Sequence, residues 1–145
     1  QNSGELRDLI RDAEAAEILP GACFELVVYG RAPMMVSAQC LQKTVRGCVY
    51  DSGTRGSLPD TVLTLKDRKG ASMPVRNSCR FCMNTIYNAV PTVLYDLAAE
   101  VAATGAGWLR YEFTTETAEE AGRLLRPQAL LPGEFTRGHF RRGVL

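Results

Sequence analysis

Thr61-Val62-Leu63-Thr64-Leu65-Lys66-Asp67-Arg68-Lys69-Gly70-Ala71-Ser72-Met73-Pro74-Val75 alternates apolar and polar residues on either side of an Asp-Arg-Lys-Gly turn. This pattern predicts a β-hairpin with a Gly-containing connection. Just beyond its second strand comes Cys79-Arg80-Phe81-Cys82. A two-residue spacer lets both sulfurs of such a pair point to one side of a knuckle, within reach of one ion. A looser pair, Cys40 and Cys48, lies upstream. Four thiolates arriving as two pairs are the donor set of a tetrahedral metal site or an iron–sulfur cluster. The candidate metal ligands are therefore Cys40, Cys48, Cys79 and Cys82. Five cysteines also admit a disulfide network with one thiol left over, or unrelated buried thiols. Cys23 stands apart: it opens the apolar run Cys23-Phe24-Glu25-Leu26-Val27-Val28-Tyr29 and reads as a small buried hydrophobe.

Working outward, residues from about Ser3 to Leu19 place Leu6, Leu9, Ile10 and Ala13 on one helical face, with Pro20-Gly21 as the stop. The run from Cys23 to Tyr29 reads as a buried strand. Residues 31 to 50 show no clear period, and Asp51 to Asp60 has the composition of a surface loop. Beyond the knuckle, Leu94, Leu97, Ala98 and Val101 fall at helical spacing between Pro91 and Gly105. Trp108 to Phe113 alternates as a strand, with Trp108 and Phe113 as core anchors. Thr117 with Glu120 forms a capping box for a last helix that ends before Pro127. Two strand-then-helix units predict a parallel strand pair with a right-handed crossover, the local grammar of α/β folds. The expected organisation is one domain over residues 1–145 with a Cys-bearing, metal-binding insertion at 31–92.

Composition narrows the classes. The 145 residues are 46% hydrophobic and 23% charged, which suits one modest globular core. No apolar stretch approaches the roughly 20 residues of a membrane span, and no secretory leader is visible, so a cytoplasmic protein without a membrane partner is expected. The 17 basic and 16 acidic residues nearly cancel, which argues against a chain-wide nucleic-acid field. Only Arg137, His139, Arg141 and Arg142 cluster, enough for a local anion site or a solvated end. The chain starts at Gln1, which suggests a processed protein or an excised piece.

Four separated blocks carry a resemblance: Glu25-Leu-Val-Val-Tyr-Gly-Arg-Ala-Pro-Met-Met-Val-Ser-Ala-Gln-Cys40, Asp67-Arg-Lys-Gly70, Pro74-Val-Arg-Asn-Ser-Cys-Arg-Phe-Cys-Met-Asn-Thr-Ile-Tyr-Asn88 and Phe135-Thr-Arg-Gly-His-Phe-Arg-Arg-Gly143. Together they resemble the C-terminal part of the collagenase-like peptidase family U-thirty-two. The resemblance implies a bacterial protein whose complete form holds an eight-stranded β/α barrel. This chain would supply its last strand-helix units plus the Cys-rich hairpin insertion, and the remainder of the parent barrel would be its partner. It implies a hydrolase by family designation. Several relatives instead support hydroxylation of RNA bases or of ubiquinone and hold a four-iron, four-sulfur cluster on four cysteines. The family's first ligand would fall near Pro33 or Met34, where this chain has no Cys; Cys40 matches the next family position, and Cys48, Cys79 and Cys82 follow the spacing of a longer subgroup.

No further catalytic constellation stands out in the residues. The single imidazole, His139, has only a remote pairing with Cys23 to offer a thiol protease. Zincin, serine-elbow and phosphate-loop patterns are missing. Asn84, Tyr87 and Asn88 offer an amide and aromatic surface for RNA, or else pack against the knuckle. Three functions follow: a metal-stabilised end of a peptidase-family enzyme, inactive by itself; an iron–sulfur component of a hydroxylase acting on RNA or a quinone; or a zinc-stabilised structural module. Unpaired strand edges make self-association a further expectation.

Overall fold

The computed structural model describes residues 2–18, 23–48, 62–126 and 129–142. Its elements run α1 (Ser3–Ala15), β1 (Glu25–Gly30), β2 (Pro33–Ser37), α2 (Leu41–Arg46), β3 (Val62–Lys66), β4 (Ser72–Ser78), β5 (Met83–Tyr87), β6 (Thr92–Val93), α3 (Ala98–Ala102), β7 (Trp108–Glu112) and α4 (Ala118–Leu124). Among the described residues this is a mixed α/β protein with two sheets and four helices. The chain divides into two compact units, residues 1–30 with 91–145, and residues 31–90. The predicted stop at Pro20-Gly21 and the loop from Asp51 to Asp60 lie outside the described residues.

The first unit holds a three-stranded sheet of order β6-β1-β7. Strand β7 runs parallel to β1, from Glu25 opposite Trp108 to Gly30 opposite Glu112, so the predicted parallel pair is present. Val28, Leu94, Val101 and Phe140 form the buried cluster, packed by Leu26, Tyr95, Leu97 and Tyr111. Burial of such side chains stabilises by about 1.5–3 kcal/mol each. Gly30 sits at φ +152°, and a Cβ there would come within 2.9 Å of the Glu112 Cβ. Only glycine lets β1 and β7 approach so closely at this point.

Two helices are shorter than the sequence pattern predicts. Helix α1 starts with a capping box between Asn2 and Glu5 but ends at Ala15. There Glu17 adopts φ +54°, its N–H reaching the Glu14 carbonyl and the Ile18 N–H reaching the Ala13 carbonyl. This is a Schellman stop with Glu in the place usually held by Gly. The helix expected between Pro91 and Gly105 begins only at Ala98. Val93 instead pairs with Tyr29 on β1, and the Leu94 N–H bonds the Val28 carbonyl at 2.7 Å. Sheet pairing thus takes the first apolar residues of the helical pattern. Gly105, at φ +83°, follows α3 as expected. The capping box predicted for α4 is present, with Thr117 Oγ1 accepting from the Glu120 N–H and Glu120 accepting from the Thr117 N–H. Trp108 departs from its expected role as a core anchor: it is 64% exposed.

Within the basic tail Arg137 and Arg141 are held in ion pairs, whereas His139 and Arg142 are exposed. Arg137 spans Asp96 with two nitrogens, the second bond at 2.7 Å, and also donates to the Val93 carbonyl at 2.8 Å. Its guanidinium lies 4.7 Å from the Phe135 ring centroid. Arg141 grips Glu100 in the same two-pronged way. The tail is therefore a strap: Thr136 pairs with Thr92, Phe140 is buried, and the Ser3 N–H donates to the Phe140 carbonyl. Hydrogen bonding from Arg137 holds the Asp96 carboxyl below the usual carboxylate range, with burial acting in the opposite direction. A carboxylate depressed in the folded state stabilises the fold above its unfolded pKa, about 4, and loses that contribution as pH falls through the depressed value. Unfolding titrations should therefore show an acid limb below about pH 4 that is shallower in Arg137→Ala. That variant should also cost about 1.5–3 kcal/mol at neutral pH, measured by urea denaturation.

The second unit is a four-stranded antiparallel sheet of order β2-β5-β4-β3. Strands β3 and β4 are the predicted hairpin, in register from Val62 opposite Arg76 to Lys66 opposite Ser72. Asp67 Oδ1 accepts from the N–H groups of Lys69 and Ala71, both at 2.8 Å, and Gly70 takes φ +88° to close the turn. Leu63, Val75 and Ile86 form the buried cluster, with Leu41, Leu65 and Met73 against it. The stretch read as aperiodic, 31 to 50, contains strand β2 and helix α2. Strand β2 is apolar at four successive positions, Pro33 to Val36, all exposed, so it carries no alternation to read.

Candidate metal centre

All four candidate cysteines lie in the second unit, whereas Cys23 lies in the first. Cys79 opens a single 3-10 turn, Cys79–Phe81, that joins β4 to β5 directly. Cys82 follows in the left-handed region at φ 50°, ψ 34°, with its N–H bonded to the Cys79 carbonyl at 3.3 Å. A non-glycine residue in this region is uncommon, costs about 1–3 kcal/mol and persists only where its surroundings impose it. The turn folds the two cysteines into a knuckle at one end of the sheet. Cys79 and Cys82 therefore lie on the connection between β4 and β5, just beyond the second strand of the predicted hairpin.

Cys40 arrives at the same end of the sheet. It caps α2, its Sγ accepting the Lys43 N–H at 3.3 Å. The segment before it is held by Asn84, which is 1% exposed on β5, two residues beyond Cys82. Asn84 Nδ2 donates to the carbonyls of Ser37 and Gln39, and its Oδ1 accepts from the Leu41 N–H at 3.3 Å. One buried amide therefore ties both sides of Cys40 to the strand that leaves the knuckle. Cys48 follows the Gly47 C-cap of α2, on the far side of the six-residue helix from Cys40.

Cys82 is exposed, and Cys40, Cys48 and Cys79 are half-buried. Their chemistry suits a thiophilic ion, and zinc and iron–sulfur clusters both accept such a set. Among the described residues, however, no group of three or more His, Cys, Asp or Glu side chains is arranged to hold a metal ion. The structure brings the Cys40 segment and the Cys79–Cys82 knuckle to one end of the sheet without assembling a ligand cage. Cys23 is exposed, so its expected place as a buried small hydrophobe does not hold. It follows the end of the described part of the α1 region and precedes β1, outside the sheet.

Asn84 is the anchor just described rather than a surface contact for RNA. Tyr87 lies on β5 opposite Pro33. Asn88 closes the base of the unit through its backbone: its N–H donates to the Ala32 carbonyl at 2.9 Å, and its own carbonyl accepts from Arg31 Nη1 at 3.2 Å. His139 is exposed on the strap. The Asn84 anchor is the feature that the sequence reading missed; its partners are backbone groups remote in sequence, so no local pattern marks it. No described helix is long and apolar enough to cross a membrane. Comparison with protein-family models, curated proteins and solved structures returns no match for this chain.

Proposed function

We propose that residues 31–90 form a cysteine-ligated metal module, with Cys40, Cys48, Cys79 and Cys82 holding zinc or a four-iron, four-sulfur cluster that stabilises the fold. The supporting observation is the Asn84 clamp, which holds the Cys40 loop at the end of the sheet where Cys79 and Cys82 form their knuckle. In this reading, binding gathers the four thiolates from the Cys40 loop, Cys48 and the Cys79–Cys82 turn and converts ligation energy into folding energy. A site closed by four thiolates leaves no open position for substrate, so its role is integrity or electron transfer rather than substrate activation.

The parallel pair β1 and β7 supports the further reading that the first unit belongs to the barrel of a collagenase-like peptidase-family protein. In the β6-β1-β7 sheet β1 is central, with the two-residue β6 antiparallel on one side, while β7 has a second edge without a strand partner among the described residues, where a further parallel strand of a barrel would pair. In that reading the module is an insertion on the barrel, and the chain is the C-terminal region of a larger enzyme. The peptidase assignment rests on resemblance. The alternative, a hydroxylation component acting on RNA or a quinone, calls for iron rather than zinc.

Anaerobic purification followed by metal analysis and absorption spectroscopy tests the module. About one zinc per chain without visible absorption, or about four irons with sulfide charge-transfer bands, is the expected result. Protein that binds neither ion, with all thiols titratable in the folded state, would overturn the proposal.

A further inference from the structure

At the C-terminal ends of β1 and β7 four aromatic rings meet. Tyr29 lies 5.7 Å from Phe113, 6.3 Å from Tyr95 and 6.4 Å from Tyr111, measured between ring centroids. Tyr95 and Tyr111 are 6.1 Å apart and nearly parallel, at 21°. Tyr29 is 4% exposed, whereas Tyr95 and Tyr111 are half-buried. The Tyr95 hydroxyl bonds the carbonyl of exposed Leu130 at 2.9 Å. A continuous path of tyrosine rings therefore runs from the interior toward the surface.

The buried end of that path has a positioned base. The Tyr29 hydroxyl donates to Glu116 Oε1 at 2.8 Å, and Glu116 Oε2 accepts the N–H groups of Thr114 at 2.7 Å and Thr115 at 3.0 Å. Burial pushes the Glu116 carboxyl up, but these backbone and phenol hydrogen bonds outweigh it and hold the group below its ordinary value. Glu116 is a carboxylate at neutral pH, able to accept a proton from the phenol. Packing alone requires neither the carboxylate nor the pairing with the most deeply buried hydroxyl of the cluster.

We propose that the Tyr29–Glu116 pair is a redox-active site, with Tyr111 and Tyr95 as its electron path to an outer-sphere one-electron oxidant at the surface. In the step, the Tyr29 O–H bond breaks and its proton passes to Glu116 Oε1. The electron leaves through the stacked rings and reduces the oxidant by one unit. The products are a neutral Tyr29 phenoxyl radical and a Glu116 carboxylic acid, so charge and atoms balance. A phenol oxidised without proton loss would leave a cation in the interior, which burial disfavours. The carboxylate removes that barrier. The proposal is independent of the cysteine module and stands whether or not that module binds metal.

Flash oxidation of the full chain with a photogenerated ruthenium(III) trisbipyridyl oxidant tests it. Transient absorption and electron paramagnetic resonance report the tyrosyl radical. Tyr29→Phe removes one oxygen, keeps the ring contacts and should abolish the long-lived signal, whereas Tyr87→Phe should leave it unchanged. Glu116→Gln keeps the size of the acceptor without its basicity and should slow radical formation by about 10²-fold, the contribution of a positioned base. Circular dichroism establishes that each variant is folded. A folded Tyr29→Phe protein that yields the radical as the wild type does, or a folded Glu116→Gln protein that forms it at an undiminished rate, would overturn the assignment.

Discussion

Asn84→Ala is expected to destabilise the second unit by about 2–4 kcal/mol, because it leaves three part-buried backbone groups of the 37–41 segment without their partner at once. The carbonyls of Ser37 and Gln39 and the N–H of Leu41 all bond this one side chain, which is 1% exposed. Each polar group left unsatisfied costs about 1–3 kcal/mol, although partial access of water to the opened loop recovers some of it. A urea denaturation midpoint lowered by more than about 1 M, at unchanged slope, is the expected result. Asn88→Ala is the control, since Asn88 closes the base of the unit through its backbone. Asn84→Asp should do no better than alanine. It keeps one acceptor but loses both donors and places a carboxylate against two carbonyls. A variant that unfolds as the wild type does would remove the clamp argument, and with it the main support for convergence of Cys40 on the knuckle.

The second large effect concerns the knuckle itself. Cys79→Ser or Cys82→Ser should remove bound metal and lower the melting temperature by roughly 10–20 °C, since structural zinc ligation is worth about 10–16 kcal/mol and only part of it need be lost. Cys23→Ser should change neither quantity, because Cys23 lies in the other unit. Metal analysis and thermal unfolding on the same samples keep the two readouts together. Retention of full metal content by both knuckle variants would sink the four-cysteine assignment even if stability fell.

Elements whose local chemistry and tertiary setting agree were legible in the sequence. The β3–β4 hairpin follows from alternation and an Asp–Gly turn, and α4 from Thr117 and Glu120, all of them short-range signals. The parallel pairing of β1 with β7 followed from the order of the elements rather than from either strand alone. Where tertiary pairing overrides propensity, the reading failed. Leu94 and Val93 fit a helical pattern, yet their backbones are taken by β1. Strand β2 was hidden because an edge strand exposed along its length has no inward face to impose a period of two. The cysteines announced a donor set through their spacing. Asn84 did not announce a clamp, because its partners lie more than 40 residues away and are all backbone.

The base of the second unit has a consequence for how the chain reaches its final form. Arg31 Nη1 reaches the carbonyls of Asn88 and Ala89, and the Asn88 N–H reaches the Ala32 carbonyl. One residue outside this clasp, Gly30 already pairs with Thr92 on β6. Residues 31–90 therefore leave and re-enter the first unit through neighbouring points. An unstructured excursion of that length would tax the closure of β1 against β6 and β7, at about 0.6 kcal/mol for each doubling of the loop, or about 3 kcal/mol relative to a tight turn. Once the clasp has closed, the excursion behaves as a short loop and most of that entropic cost disappears. The expected order of assembly is that the local β3–β4 and β4–β5 pairings of the inserted unit form early, and that the longer-range pairing of β2 with β5 then closes the clasp and brings its two ends together. The slow, long-range parallel pairing of β1 with β7 then completes the first sheet.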